Sequence, residues 1–254
     1  MQNNHAILRL KEIIARLRAP DGCPWDREQT HASIKPQLLE ESFEVLEAID
    51  EKNDKMLQEE LGDVLLHIVF HSQLASERGA FTLEDVINGV ADKLVHRHPH
   101  VFGENKLGSS DEVLKQWDEI KKKEKPERTG ILHGIPKTLP ALMQAEEIQR
   151  KAAKVGFDWS EVKDVLAKVR EELDEVEQDL HHPAKAGEEI GDLFFALTNL
   201  ARFLKINPEL AARNANSKFI RRFEWMEQNS AKPLKGQSLA ELDELWNRAK
   251  KIVG

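Results

Sequence analysis

Glu172 and Glu175 stand three residues apart in the stretch VREELDEVEQDL, and Glu189 and Asp192 stand three apart where GEEIGD runs into the apolar LFFAL. On a helix, residues three and four apart share a face, so each pair makes an edge of two carboxylates. Two such edges on facing helices form a cage of hard oxygens. Oxygen donors without His or Cys select Mg²⁺, with Mn²⁺ as a substitute. Because Mg²⁺ keeps several waters and takes the rest of its shell from phosphates, the donor set predicts a phosphate-bearing substrate.

One acidic pair alone carries little weight. Acids fill 45 of 254 positions, so roughly eight pairs at this spacing arise by chance on solvated helix faces. The weight comes from repetition. EESFEVLEAID at 40–50 matches EELDEVEQDL at 171–180, and EELGDVLLHIVF at 59–70 matches EEIGDLFFALTN at 188–199. Glu41 and Glu44 therefore answer Glu172 and Glu175, and Glu60 and Asp63 answer Glu189 and Asp192 at an offset of 129. DKLVHR and SKFIRR form a further matching pair, as do QWDEIKKK and LWNRAKKI, which aligns Trp117 with Trp246. The chain is a tandem duplication.

The elements that must hold these acids follow from spacing. Apolar residues recur at helical intervals with no convincing period-2 run, which predicts an all-α fold. Fifteen residues separate Glu44 from Glu60 and thirteen separate Glu175 from Glu189, enough for one helix to end and an antiparallel one to begin. Breakers cluster in KKKEKPERTGILHGIPKTLP. They divide the chain into tandem four-helix-bundle-like units at 1–125 and 141–254, with a linker at 126–140 and about four main helices in each unit. The apolar runs after Asp63 and Asp192 predict that the second acidic helix of each unit is buried on most of its surface. A carboxylate there is costly unless paired or bound to metal.

Glu-Glu-x-x-Glu, a gap, then Glu-x-x-Asp ending in GDV or GDL, with GCPWD before the first acidic helix and HRHPHVF closing the first unit, resembles the MazG family of the all-α NTP pyrophosphatase superfamily. The resemblance covers nearly the whole chain. It implies Mg²⁺-dependent hydrolysis of a nucleoside triphosphate to the monophosphate and pyrophosphate, with broad base specificity and attack at the α phosphorus. It also implies a homodimer. On this reading Glu172, Glu175, Glu189 and Asp192 are catalytic metal ligands, and Glu41, Glu44, Glu60 and Asp63 form a second metal site.

Cations near the acids are candidates for phosphate contacts: Lys168, Lys185, Lys218, Arg221 and Arg222, with Trp246 stacking on a base or closing the core. Their counterparts in the first unit are Gln37, Met56, Lys93, His96 and Arg97. Fewer positive charges there predict that the second unit performs the hydrolysis. The spacing of His96, His98 and His100 fits a structural role better than zinc, since Pro99 ends the helix. Glu28 and His31 form the only Glu-x-x-His pair, whereas a di-iron carboxylate bundle requires two.

The net charge of −8 argues against nucleic acid or an anionic membrane as main partner. Cys23 is the only cysteine, and the N-terminal segment is amphipathic rather than a leader, so a cytoplasmic enzyme is expected. Two readings from other classes compete with an enzyme: a scaffold whose acids are purely structural, and a module that captures nucleotides without cleaving them.

Overall fold

The computed structural model describes residues 5–103, 106–124 and 130–253. Among these the chain is built from helices joined by turns, with no strand. Spatial contacts divide it into two units, Met1–Glu124 and Lys125–Gly254.

In the first unit, α1 (His5–Arg18), the one-turn α2 (Pro24–Glu28), α3 (Lys35–Asp50), α4 (Asp54–Glu77), α5 (Leu83–Arg97), the short α6 (Pro99–Phe102) and α7 (Ser110–Glu124) follow in order. The second unit holds α8 (Ala141–Ala153), α9 (Val162–Gln178), α10 (Pro183–Phe203), α11 (Pro208–Asn229) and α12 (Leu239–Val253). Among the described residues each unit thus shows five long helices where about four were expected. The repeat survives at this level: α3 packs on α4 as α9 packs on α10, α1 packs on α4 as α8 packs on α10, and α5 meets α7 as α11 meets α12.

Three residues connect α3 to α4, and four connect α9 to α10. Connections this short force antiparallel neighbours. Asn53 accepts from the Met56 N–H to cap α4, and Thr82 and Asp85 exchange bonds in a capping box that starts α5. Pro183 and Pro208 open α10 and α11 at positions where a missing N–H costs nothing.

The core of the first unit gathers Ile14, Ile34, Val69, Phe70, Leu74 and Leu83 from α1, α4 and their neighbours. Met226, Leu245 and Ala249 form a core between α11 and α12 in the second. Arg18, nearly buried, reaches across from α1 to Glu77 of α4 at 2.8 Å. The expected burial of the second acidic helix is only half met. His67, Val69 and Phe70 of α4 and Ala196, Thr198 and Asn199 of α10 are buried, yet Phe194 is 57% exposed and Phe195 and Leu197 are each 42% exposed. Helices α9 and α8, with a smaller contact from α11, cover part of α10 and leave these side chains exposed.

Of the expected linker 126–140, residues 126–129 lie outside the described residues. Residues 130–140 run as turns and bends. They are tied to α8, whose Lys151 donates to the His133 carbonyl at 2.8 Å.

Candidate active site

Antiparallel packing brings the acids of each helix pair together. In the second unit, oxygens of Glu172 on α9 and of Glu189 and Asp192 on α10 all lie within 4.8 Å of one another. Glu41 of α3 with Glu60 and Asp63 of α4 form the same group in the first unit. Glu44 and Glu175 lie outside these close trios but against them, each in hydrogen-bonding reach of the acid one turn before it.

The electrostatics are those of crowded carboxylates. The Glu41 carboxyl is pushed up to about 7, first by burial, then by the hydrogen bond with Glu44 and by the charges of Asp63, Glu44 and Glu60. Glu60 is raised by burial and by Glu44. Burial also raises Glu175, followed by the charges of Glu172 and Glu189.

Whether a divalent cation suits these groups can be judged at Glu172. It is only 5% exposed. One of its oxygens takes the Lys168 ammonium at 2.6 Å. The other, Oε2, is buried with no hydrogen-bond partner among the described residues. A buried carboxylate oxygen left unsatisfied is costly. With two further carboxylates within 4.8 Å and an all-oxygen donor set, the arrangement fits a hard divalent ion.

Behind Glu172 and Asp192 opens a cavity of ≈ 510 Å³, within the range that takes a small-molecule ligand. Its walls are mainly apolar, with Ile148, Phe157, Trp159, Val165 and Phe195 among them, and its polar groups include Lys168, Arg202, Asn199 and Gln149. Lys168 donates to Glu171 at 2.8 Å, and its pKa is raised by that contact and then by Glu172. Arg202 is held rigidly, donating to Asp158 at 2.5 Å and to Asn199 Oδ1 at 2.7 and 2.9 Å.

The corresponding cavity of the first unit measures ≈ 230 Å³ and is lined by Trp25, Asp26, Gln37, Glu41, His67 and Phe70 among others. Among the described residues, no lysine or arginine lines it. By the repeat offsets, Gln37 stands for Lys168, Phe70 for Asn199 and Gln73 for Arg202.

Other expected site residues are placed elsewhere. Lys185 lies 4.0 Å from Asp179, which pairs it with the loop before α10. Lys218, Arg221, Arg222 and Trp246, on α11 and α12, are not among the residues lining the cavity. Arg222 lies over the Trp246 ring at 5.6 Å, and Phe219 packs against the same ring at 4.8 Å. In the first unit, Arg97 pairs with Glu124 at 2.5 Å. His98 meets the Trp117 edge at 5.0 Å, and His100 bonds Gln116 at 3.0 Å.

Arg202, Asn199 and Gln149 escaped the sequence reading. For two of them a signal existed. Asp192, Ala196, Asn199 and Arg202 recur at intervals of four, three and three, so they continue one face of α10 beyond the acids. Gln149 sits on α8, whose two acids, Glu146 and Glu147, are adjacent rather than three apart and so attract no notice.

A family model described as the MazG nucleotide pyrophosphohydrolase domain matches residues 29–102, the stretch that carries the first acid group. The chain is 49% identical to the nucleoside triphosphate pyrophosphohydrolase/pyrophosphatase MazG of Thermotoga maritima, over 95% of this chain and 94% of that protein. It is 45% identical to the nucleoside triphosphate pyrophosphohydrolase of Escherichia coli K12, over 96% of each. Identity of this order along both units, on top of the repeated acidic helix pair, makes the chain a member of the MazG nucleotide pyrophosphohydrolase family.

Proposed function

We propose that the protein hydrolyses nucleoside triphosphates to the monophosphate and pyrophosphate, with water attacking the α phosphorus, and that the second unit does so. The observation that carries this reading is the joining of three elements in one place: the Glu172, Glu189 and Asp192 group, the cations Lys168 and Arg202, and an apolar cavity of ≈ 510 Å³. Names of the close relatives support the substrate class.

Glu172, Glu175, Glu189 and Asp192 would hold Mg²⁺, or Mn²⁺ in its stead. When bound, the ion supplies positive charge to the triphosphate oxygens and acidifies water. The chain's own groups do the rest. Lys168 brings positive charge to phosphate oxygens, Arg202 lends positive charge to the cavity farther along α10, and Lys185, Lys218, Arg221 and Arg222 are further candidates for phosphate contacts. A carboxylate of the group not engaged with the cation accepts the proton of the attacking water. The aromatic walls receive the base, and Trp246 is a second surface on which a base could stack.

In the first unit, Glu41, Glu44, Glu60 and Asp63 keep the acid group, but the neutral residues at positions 37, 70 and 73 favour a role in folding or assembly. Residues 1–125 and 141–254 as tandem units, joined through 126–140, complete the proposal. A homodimer is supported by α5, where Val86, Ile87, Val90 and Leu94 form an apolar stripe at helical spacing, each at least 39% exposed. No helix among the described residues is long and apolar enough to cross a membrane, and the single cysteine suits the reducing cytoplasm.

Incubation with ATP and Mg²⁺, followed by separation of products, tests the reaction. AMP and pyrophosphate are expected. ADP and orthophosphate would mean that a different bond is cleaved, and no product at all would favour a scaffold or a capture module.

A further inference from the structure

Gln149 has a position that the reaction does not use. It lies on α8, 7% exposed, in the wall of the second unit's cavity. Its Nε2 donates to the Phe195 main-chain carbonyl at 2.7 Å. A carbonyl can only accept, so this bond fixes which end of the amide faces Phe195. The other end, Oε1, is buried and has no partner among the described residues. Buried acceptors in folded proteins almost always find a donor, and one left over in a ligand cavity marks the place where a ligand supplies it.

We infer that Gln149 is a specificity-determining residue, whose side-chain oxygen accepts an N–H from the edge of a nucleobase held among Phe157, Trp159 and Phe195. This rests on the reading of the cavity as a nucleoside triphosphate site. The phosphates go to the end where Glu172, Asp192 and Lys168 line the cavity, which leaves the apolar and aromatic portion for the base. A flat ring surrounded by apolar side chains is bound by its faces, and only its edge needs a polar partner.

The chemistry of the lone acceptor also suits the broad base specificity that the family resemblance implies. Adenine and cytosine offer an exocyclic amine on that edge, guanine a ring N–H with an amine, and uracil and thymine a ring N–H. One acceptor with no neighbouring donor therefore requires that a base be present without choosing among the natural ones. It rejects a ring whose edge bears no N–H, because the acceptor then stays buried and unpaired.

The test compares ATP with purine riboside 5′-triphosphate, which lacks the 6-amino group, on the full-length protein with Mg²⁺. The wild type is expected to favour ATP in kcat/KM by about tenfold or more, the effect of one buried hydrogen bond. In Gln149→Met, similar in length and apolar, the preference should fall to within about threefold. Equal kcat/KM for the two substrates on the wild type overturns the inference without needing any variant. So does a Gln149→Met protein that keeps the full preference. In both cases hydrolysis itself persists, so the proposed reaction stands. Hydrolysis of neither triphosphate by the wild type would remove the reading of the site and the inference with it.

Discussion

The Glu41 carboxyl titrates near 7 in the folded protein and near 4.5 when unfolded. Between those values the folded state holds a proton that the unfolded chain has released, so this group lowers stability as pH rises and its full penalty applies above 7. His67 and His71 act in the opposite sense, because burial holds both below the ordinary imidazole range and their charging favours unfolding as pH falls. Both histidines remain in a Glu41→Gln variant and drop out of the difference between the two proteins. In chelator, Glu41→Gln should melt a few degrees above the wild type at pH 8, and the gap should close by pH 4.5. A gap independent of pH would show that crowding of ionised carboxylates is not what destabilises the metal-free protein. At this scale the acids were legible because their types, spacing and repetition are all visible in a string. Gln149 was not, because its meaning lies in Phe195, a partner 46 residues away, and although Arg202 continues the acid face of α10, the Asp158 that holds it lies 44 residues away.

Two of the helices that present these groups, α3 and α10, end in a shared way. After α3, Lys52 donates to Ile49 and Asn53 to Ala48, and after α10, Lys205 donates to Arg202 and Ile206 to Ala201. This pair of bonds closes a helix through a left-handed residue, and Lys52 and Lys205 have φ of 54° and 59°. Glycine meets that demand without steric cost, as Gly79 does with φ 67° after α4. Lys52→Gly should therefore stabilise the protein by about 1 kcal/mol, and Gly79→Ala should destabilise it by a similar amount. Chemical denaturation of both variants checks the pair, and a Lys52→Gly protein less stable than wild type would contradict the account. Helix identity and the antiparallel acid pairs could be read from apolar periodicity and the length of the gaps. The fifth helix of each unit and the exposed apolar side chains of α10 could not, because periodicity reports that a face is apolar and not which neighbour covers it.

Duplication organises the whole molecule, and it was legible because two acid patterns recur at nearly equal offsets, 131 and 129. Coverage of apolar surface was less so. The stripe of Val86, Ile87, Val90 and Leu94 on α5 is too exposed for a helix facing only water. If the proposed homodimer forms through this stripe, Val90→Lys together with Leu94→Lys should shift the wild-type mass in sedimentation toward that of a monomer without loss of helicity, and a mass equal to that of the wild type would contradict a dimer contact on α5.

The two acid groups look alike, yet only the second faces a large cavity with positive charge, Lys168 and Arg202 against Gln37 and Gln73. Each charge-assisted contact to phosphate is worth about 1.5 to 3 kcal/mol before screening, so on the proposed reading the Lys168 contact that Gln37 cannot make would leave triphosphate binding in the first unit weaker by about an order of magnitude or more. The most direct measurement is the rate of AMP and pyrophosphate formation from ATP and Mg²⁺ by Glu175→Gln and by Glu44→Gln, side by side. The account predicts that Glu175→Gln loses nearly all turnover while Glu44→Gln keeps most of it. Equal losses in the two variants, or a greater loss in Glu44→Gln, would contradict it.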